Sequence, residues 1–213
     1  MSAARKAKKL NACVWLHLTR DITRAEVKPG VQFAADTTEL PLRHVDLLTL
    51  KERYEKMANS SISELIASFD ALDCLGFAVG LHIKFTSPAY LLQTYPVAWN
   101  EHYSKNGLVM SDPTVAWGLS NSGSIKWSDL VENDSAGVLV AASEYGLRYG
   151  ATVSVLDKGS RSIAGFARED RDFSAVELQH LNELTVALHA ATAEDVELSA
   201  EDKALLAERT TQV

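Results

Sequence analysis

The sequence predicts an α+β fold: a sandwich with an antiparallel sheet in the middle and helices on the outside. Three observations predict it. Segments with helical periodicity open on capping boxes at Ser61 and at Ser174. Between them lie segments that alternate with period two, as strands with one face on a core do. The resulting order is helix, strands, helices, strands, helix, and such segregated mixing packs helices over a sheet that is largely antiparallel. A chain of 213 residues holds one domain with a full core. At 46% hydrophobic and 23% charged, its composition excludes disorder or a fibrous class for the whole.

Each element follows from local pattern. Residues 1–45 show no sustained period and are broken at Pro29-Gly30, so they read as an N-terminal extension, either disordered or set by an early start codon. Ser61 and Glu64 form the first capping box, and Ile62, Leu65, Ile66, Phe69 and Leu72 share a face of a helix expected to close near Gly76. Phe77, Val79, Leu81, Ile83 and Phe85 then alternate with Ala78, Gly80, His82 and Lys84 in a strand. The face carrying Ala78 and Gly80 is small, which leaves room for a packed helix or a ligand.

Pro96 suits the first turn of a helix whose face carries Tyr95, Trp99 and Tyr103, and Gly107 stops it. Asp112-Pro113 reads as N-cap and first helical position, with Thr114, Val115 and Trp117 following on a short helix. Ser122 to Ser124 is loop, Ile125 to Trp127 a short extended piece, and Ala136 to Tyr145 a helix closed by Gly146. Strands are expected over Gly150–Val155 and Ser162–Ala167, joined by a turn around Asp157 to Ser160. The last helix starts at Ser174, with Glu177 completing its capping box, Phe173 stapling onto Leu178, and Leu181, Leu184 and Leu188 continuing the stripe.

Charge and motifs narrow the function classes. A net charge of -7 repels a polyanion, so the bulk surface is not expected to bind nucleic acid; Arg5, Lys6, Lys8 and Lys9 read as a solvated tail. Cys13 and Cys74 form neither a disulfide framework nor a metal knuckle, which fits a reducing cytosol. No apolar run approaches the ~18 residues of a membrane span, and no secretory signal is recognisable, so a cytoplasmic location is expected. The sequence contains no HExxH, CxxC, Walker-type loop, GxGxxG or nucleophile elbow. His17, His44, His82, His102, His180 and His189 lack metal-ligand spacing and read as solvated or singly hydrogen-bonded. Glu169, Asp170 and Asp172 lack the ligand spacing of a calcium loop and read as a solvated turn. No cofactor, metal or catalytic residue is expected.

What remains is a constellation: Tyr95, Trp99 and Tyr103, then Asp112-Pro113-Thr114-Val115, then Trp127. An amphiphile with an amide, an ester carbonyl and an alkyl tail needs a donor for each carbonyl, an acceptor for its N–H, and an apolar channel. Tyr95 and Trp99 are donors, Asp112 is the strongest acceptor, and the rings would wall a channel. Taken singly, each has a plainer reading: the aromatics as a core stripe, Asp112 as an N-cap, Trp127 as core.

Together, Trp99-x3-Tyr103-x8-Asp112-Pro113, Trp127 and Gly146-Leu-x-x-Gly150 resemble the ligand-binding domain of LuxR-type quorum-sensing regulators, over about Ser61 to Ala193. The resemblance implies an α-β-α sandwich, a GAF/PAS-like sensor architecture, with an N-acyl-homoserine lactone buried between the sheet and one helix layer. It implies that Trp99 donates to the lactone carbonyl, Tyr95 to the acyl carbonyl, and that Asp112 accepts from the amide N–H. Trp127 would pack on the lactone ring; Tyr103, Thr114 and Val115 would line the pocket. Gly150 would start a strand in the sheet, and Thr152 would face the pocket.

Three departures stand out. Ser154 occupies a position where the family often has proline. No hydroxyl can be placed on the next strand around Ala164 to Ala167, where Gly165 or Phe166 stands, and this leaves the acyl-chain end of the pocket open. The chain also stops at Val213, where the family normally continues into a helix-turn-helix domain. The expected organisation is an extension over 1–45, an autoinducer-binding domain over 46–195, and a tail over 196–213 whose Leu198-Ser199, Ala204, Leu205 and Leu206 resemble the opening of that missing domain. The expected role is non-enzymatic: lactone sensing as a homodimer, or as a heterodimer that modulates or antagonises a full-length homologue. The alternatives are a sensor of the same fold for another apolar ligand or none, and an enzyme acting on the lactone, for which no base or metal set is visible.

Overall fold

The computed structural model describes residues 57, 59–85 and 87–210. The chain divides into two units, Met1–Ser60 and Ser61–Val213. The described part of the first is a turn in which the Ser60 N–H donates to the Met57 carbonyl at 3.1 Å. The expectations for residues 1–45, Cys13, His17, His44 and the early basic cluster, and for a domain start at 46, lie outside the described residues.

The second unit opens on the expected capping box, in which Ser61 and Glu64 satisfy each other's backbone N–H groups. Helix α1 is Ile62–Asp70, and it ends before Leu72, earlier than the Gly76 expected from periodicity. The Ala71 N–H closes it on the Ala67 carbonyl, which leaves 71–75 as a connecting turn. Strand β1, Gly76–Ile83, follows. It stops short of Phe85, which is fully exposed and has φ 57°. A second strand that the sequence did not suggest, β2 (Tyr90–Gln93), pairs antiparallel with β1.

Helix α2 is Val97–Lys105; Pro96 is its N-cap and not its first residue, so Tyr95 lies ahead of the helix and off its face. A 3-10 turn, Leu108–Met110, leads into α3, Pro113–Ser120, with Asp112 at its N-cap and Pro113 first, as expected. Strand β3, Gly123–Lys126, ends one residue before Trp127, which begins a 3-10 helix, Trp127–Asn133. Helix α4, Val138–Glu144, is closed by Tyr145 and then Gly146, whose φ of 85° suits glycine at that position.

Strands β4 (Tyr149–Asp157) and β5 (Ser160–Arg168) pair along their whole length. Lys158 and Gly159 make their two-residue turn, with φ of 49° and 80°, the positive pair that matches hairpin twist. Helix α5, Ala175–Ala191, carries the second expected capping box. Helix α6, Ala200–Arg209, is capped by Ser199. It does not project away: Leu206 is fully buried, Arg209 pairs with Asp70 of α1, and Thr210 bridges to Leu92 of β2.

The sheet is five-stranded and antiparallel, in the order β2-β1-β5-β4-β3. One face carries Phe77, Val79, Ala151, Val153, Ala164 and Phe166, all buried. Phe69 of α1 stacks on Phe166 with centroids 5.9 Å apart, and α5 packs over β4 on the same face. Helix α3 packs on β4 and β5 from the other side, so the fold is the α-β-α sandwich that was expected. Among the described residues no helix is long and apolar enough to cross a membrane.

Candidate functional site

Strand register lays out the second face of the sheet in rows. Gly76, Ala167 and Gly150 form one row; Ala78, Gly165 and Thr152 the next; Gly80, Ile163 and Ser154 the third. The small face read from Ala78 and Gly80 thus extends across the central strands. Its middle row is not sealed. Ala78 and Gly165 keep part of their surface accessible, although their strand neighbours Val79 and Ala164 are fully buried. Two central strands under a helix layer can keep such surface only if space is left between the layers.

Aromatic rings cover the first two rows. Trp127 lies flat on Gly150: a Cβ there would sit 2.0 Å from its Cδ2, so no larger residue fits while the ring stays. The indole N–H of Trp127 donates to Thr152 Oγ1 at 3.0 Å, which leaves the threonine O–H as a donor on the floor. The Tyr95 hydroxyl stands 3.0 Å from where a Gly165 Cβ would be, and it is buried without a hydrogen-bond partner. Burial, then the Asp112 charge, raise the Tyr95 phenol well above its ordinary range, so it is a fixed O–H donor.

Trp99 is buried in the same cluster as Trp127, with Val138, Ala142 and Leu147, and Tyr95, Tyr103 and Tyr145 pack against it. Its ring centroid is 5.5 Å from those of Tyr103 and Tyr145. Asp112 joins this wall to α3. Its Oδ1 accepts from the Thr114 N–H at 2.7 Å and its Oδ2 from the Tyr103 O–H at 2.8 Å. Burial and the neighbouring carboxylate hold that phenol protonated, far above its usual range. Each carboxylate oxygen has two lone pairs, so Asp112 can still accept another N–H.

Tyr95, Trp99, Tyr103, Asp112, Thr114, Trp127 and Thr152 are therefore brought together, although Tyr95 does not reach the set from the helix face expected. Val115, half-buried on α3, stands apart from the hydrogen-bonded set. Pro113 starts α3, Gly146 ends α4, and Gly150 makes the close approach to Trp127. Of the two residues that could replace the missing hydroxyl on β5, Gly165 faces this side and Phe166 the other.

Sequence reading missed two clusters. His82 is buried and doubly bonded, its Nδ1 to Ser160 Oγ at 2.8 Å and its Nε2 to Thr192 Oγ1 at 2.9 Å, with the His189 ring 4.5 Å away and bonded to Ser162. His82 is thus neither solvated nor singly bonded, and no local spacing announces residues so far apart. Asp172 is also not a free acid of a solvated turn: it pairs with Lys126 at 3.1 Å. The second cluster is Ser154 and Arg161, whose side chains both donate to the Gly118 carbonyl at 2.7 Å. Among the described residues no group of three or more His, Cys, Asp or Glu could hold a metal.

The model of the autoinducer binding domain family matches residues 62–193. The transcriptional activator protein SolR of Ralstonia nicotianae is 33% identical over 113 residues, covering 53% of this chain and 48% of SolR. The HTH-type quorum-sensing regulator RhlR of Pseudomonas aeruginosa is 30% identical over 111 residues, 51% of this chain and 46% of RhlR. The chain thus spans about half the length of the curated relatives it matches. Among solved structures, SdiA in complex with octanoyl-rac-glycerol superposes with a TM-score of 0.54 at 18% identity, covering 84% of this chain and 80% of SdiA. A structure of Escherichia coli SdiA gives 0.51 at 23% identity, covering 77% and 78%. At these identities the likeness is one of fold.

Proposed function

Because the chain belongs to the autoinducer-binding domain family of LuxR-type regulators, a family of regulatory sensors and not of enzymes, we propose that it senses N-acyl-homoserine lactones in the space between α3 and the sheet. The observation that carries this reading is the Tyr95 hydroxyl, buried over Gly165 with nothing to bond. A buried donor without a partner costs about 1–3 kcal/mol, and a ligand carbonyl would remove that cost. Tyr95, with the Thr152 hydroxyl beside it, donates to the acyl carbonyl; Asp112 accepts from the amide N–H; Trp99 donates to the lactone carbonyl. Trp127 packs on the lactone ring, and Tyr103, Thr114 and Val115 line the pocket. The protein performs no chemistry on its ligand.

Within a cytoplasmic regulatory system, the domain pairs with a second copy or with a full-length homologue. Pairing with a homologue would compete with that homologue's own dimer, whose two DNA readers need paired half-site geometry. Co-expression with such a homologue lowers output from its promoter; unchanged output over a wide dose range rules this role out.

The test of sensing is the thermal midpoint of the purified chain with and without a series of lactones. At about 100-fold over the dissociation constant, linkage adds roughly 2.7 kcal/mol and raises the midpoint. Tyr95→Phe and Asp112→Asn should each lose most of that rise, whereas no rise with any lactone removes the lactone reading. One observation favours a second reading: SdiA, of the same fold, has been solved with octanoyl-rac-glycerol. A rise with that compound and none with lactones would assign the site to other acylated ligands.

A further inference from the structure

On the third row the floor meets α3, although Ile163 keeps part of its own surface accessible. Ile163 rises from it against α3: a Cβ on Gly118 would lie 2.9 Å from both Cδ1 and Cγ2 of Ile163, so helix and side chain touch with nothing between. Gly80, its row neighbour on β1, is covered by Pro88 and Ile83 at 3.5 and 3.7 Å from its Cβ position. The contact is clamped. The Gly118 carbonyl near the end of α3 accepts from Ser154 Oγ and from Arg161 Nη1, each at 2.7 Å. The same Nη1 donates to the Asn121 carbonyl at the C-cap and to Ser154 Oγ at 2.8 Å. A guanidinium on the last carbonyls of a helix complements its dipole and fixes its end to the sheet. Ser154, where proline is common in the family, is half of this clamp.

From this we infer that the protein selects lactones with short acyl tails, the Ile163–Gly118 contact being the stop that sets tail length. The inference rests on the lactone reading above and deepens it. With Tyr95 and Thr152 marking the acyl carbonyl in the second row, the wall stands two residues along the strand. That is about 7 Å at the rise of a β-strand, and since a tail methyl must stop about 4 Å short of the wall's nearest carbon, an extended tail of about four acyl carbons fits. A longer tail must displace Ile163 or pull α3 off a clamp made of hydrogen bonds to backbone carbonyls. Truncating Ile163 moves the stop without touching any group that holds the head.

The experiment measures dissociation constants of the whole chain for butanoyl-, hexanoyl-, octanoyl-, decanoyl- and dodecanoyl-homoserine lactone, for wild type, Ile163→Ala and Ile163→Val. Wild type should bind the butanoyl or hexanoyl lactone best and the dodecanoyl lactone at least about tenfold more weakly. Ile163→Ala should move the optimum to octanoyl or longer, and Ile163→Val, the milder change should Ala fail to fold, should narrow the wild-type ratio in the same direction. Wild type that binds decanoyl or dodecanoyl lactone as well as hexanoyl, or an order unchanged in both variants, overturns the stop while leaving lactone sensing intact. Binding of no lactone of any length overturns the sensing itself, and the stop with it.

Discussion

At the scale of single residues, Tyr95 and Gly150 make opposite predictions. The Tyr95 hydroxyl is buried and unpartnered. Removing it relieves a desolvation cost, so Tyr95→Phe should raise the urea midpoint of the ligand-free protein by the equivalent of about 1 kcal/mol while abolishing most of the ligand-dependent gain. A stabilised variant that has lost its response identifies a binding group; a destabilised one would mean that the hydroxyl is tied into the core. Gly150 shows the reverse. Its Cβ position falls within the Trp127 ring, so Gly150→Ala must push the indole off Thr152 and should cost about 1–3 kcal/mol, read in the urea midpoint with tryptophan fluorescence following the displaced ring. That Tyr95, Trp99, Asp112 and Trp127 belong to one cluster was legible in the sequence from their residue types and spacing. The route of Tyr95 was not, because whether Pro96 serves as cap or as first helical residue turns on one dihedral that composition does not set.

Among the elements, α3 depends most on one side chain. Asp112 caps it through Thr114 and holds Tyr103 at the same time. Asparagine is as good a cap as aspartate and still offers an oxygen, so Asp112→Asn should change ligand-free stability by less than about 1 kcal/mol. Asp112→Ala loses the cap and leaves the half-buried Tyr103 hydroxyl without its acceptor, about 2 kcal/mol in all. Equal losses in the two variants, measured by urea unfolding, would show that charge and not capping holds α3. Elements whose ends are written in local chemistry were legible: both capping boxes, the Asp112-Pro113 start and the Gly146 stop all form. Strand β2 was not, because four residues at a sheet edge with only Leu92 fully buried give no period to read. The end of α1 was missed for a related reason: Leu72 continues the apolar stripe by spacing but falls in the turn after Asp70.

Across the whole molecule, local pattern gave the sandwich but not the strand order. That β1 lies beside β5 is a long-range pairing, and so is the meeting of His82 on β1 with His189 on α5. This meeting has a pH consequence. Burial lowers the affinity of His82 for a proton; the Glu194 carboxylate opposes the shift and the Lys84 ammonium adds to it, these two being paired with each other. The folded protein therefore holds His82 neutral, whereas the unfolded chain protonates it near its ordinary value of 6.5. Stability from this group is fully present above that value and is lost as the pH falls below it. Glu177 acts in a separate window. Hydrogen bonds from Arg168, then Arg171, hold its carboxyl far below the usual range, so its contribution stays until the pH drops below about 4.5. The urea midpoint of the wild type should thus fall steadily between pH 7 and pH 5, and that of His82→Gln, which keeps a hydrogen-bonding side chain but cannot take the proton, should fall less. Parallel lines for the two proteins over that interval would assign the acid sensitivity to a group other than His82.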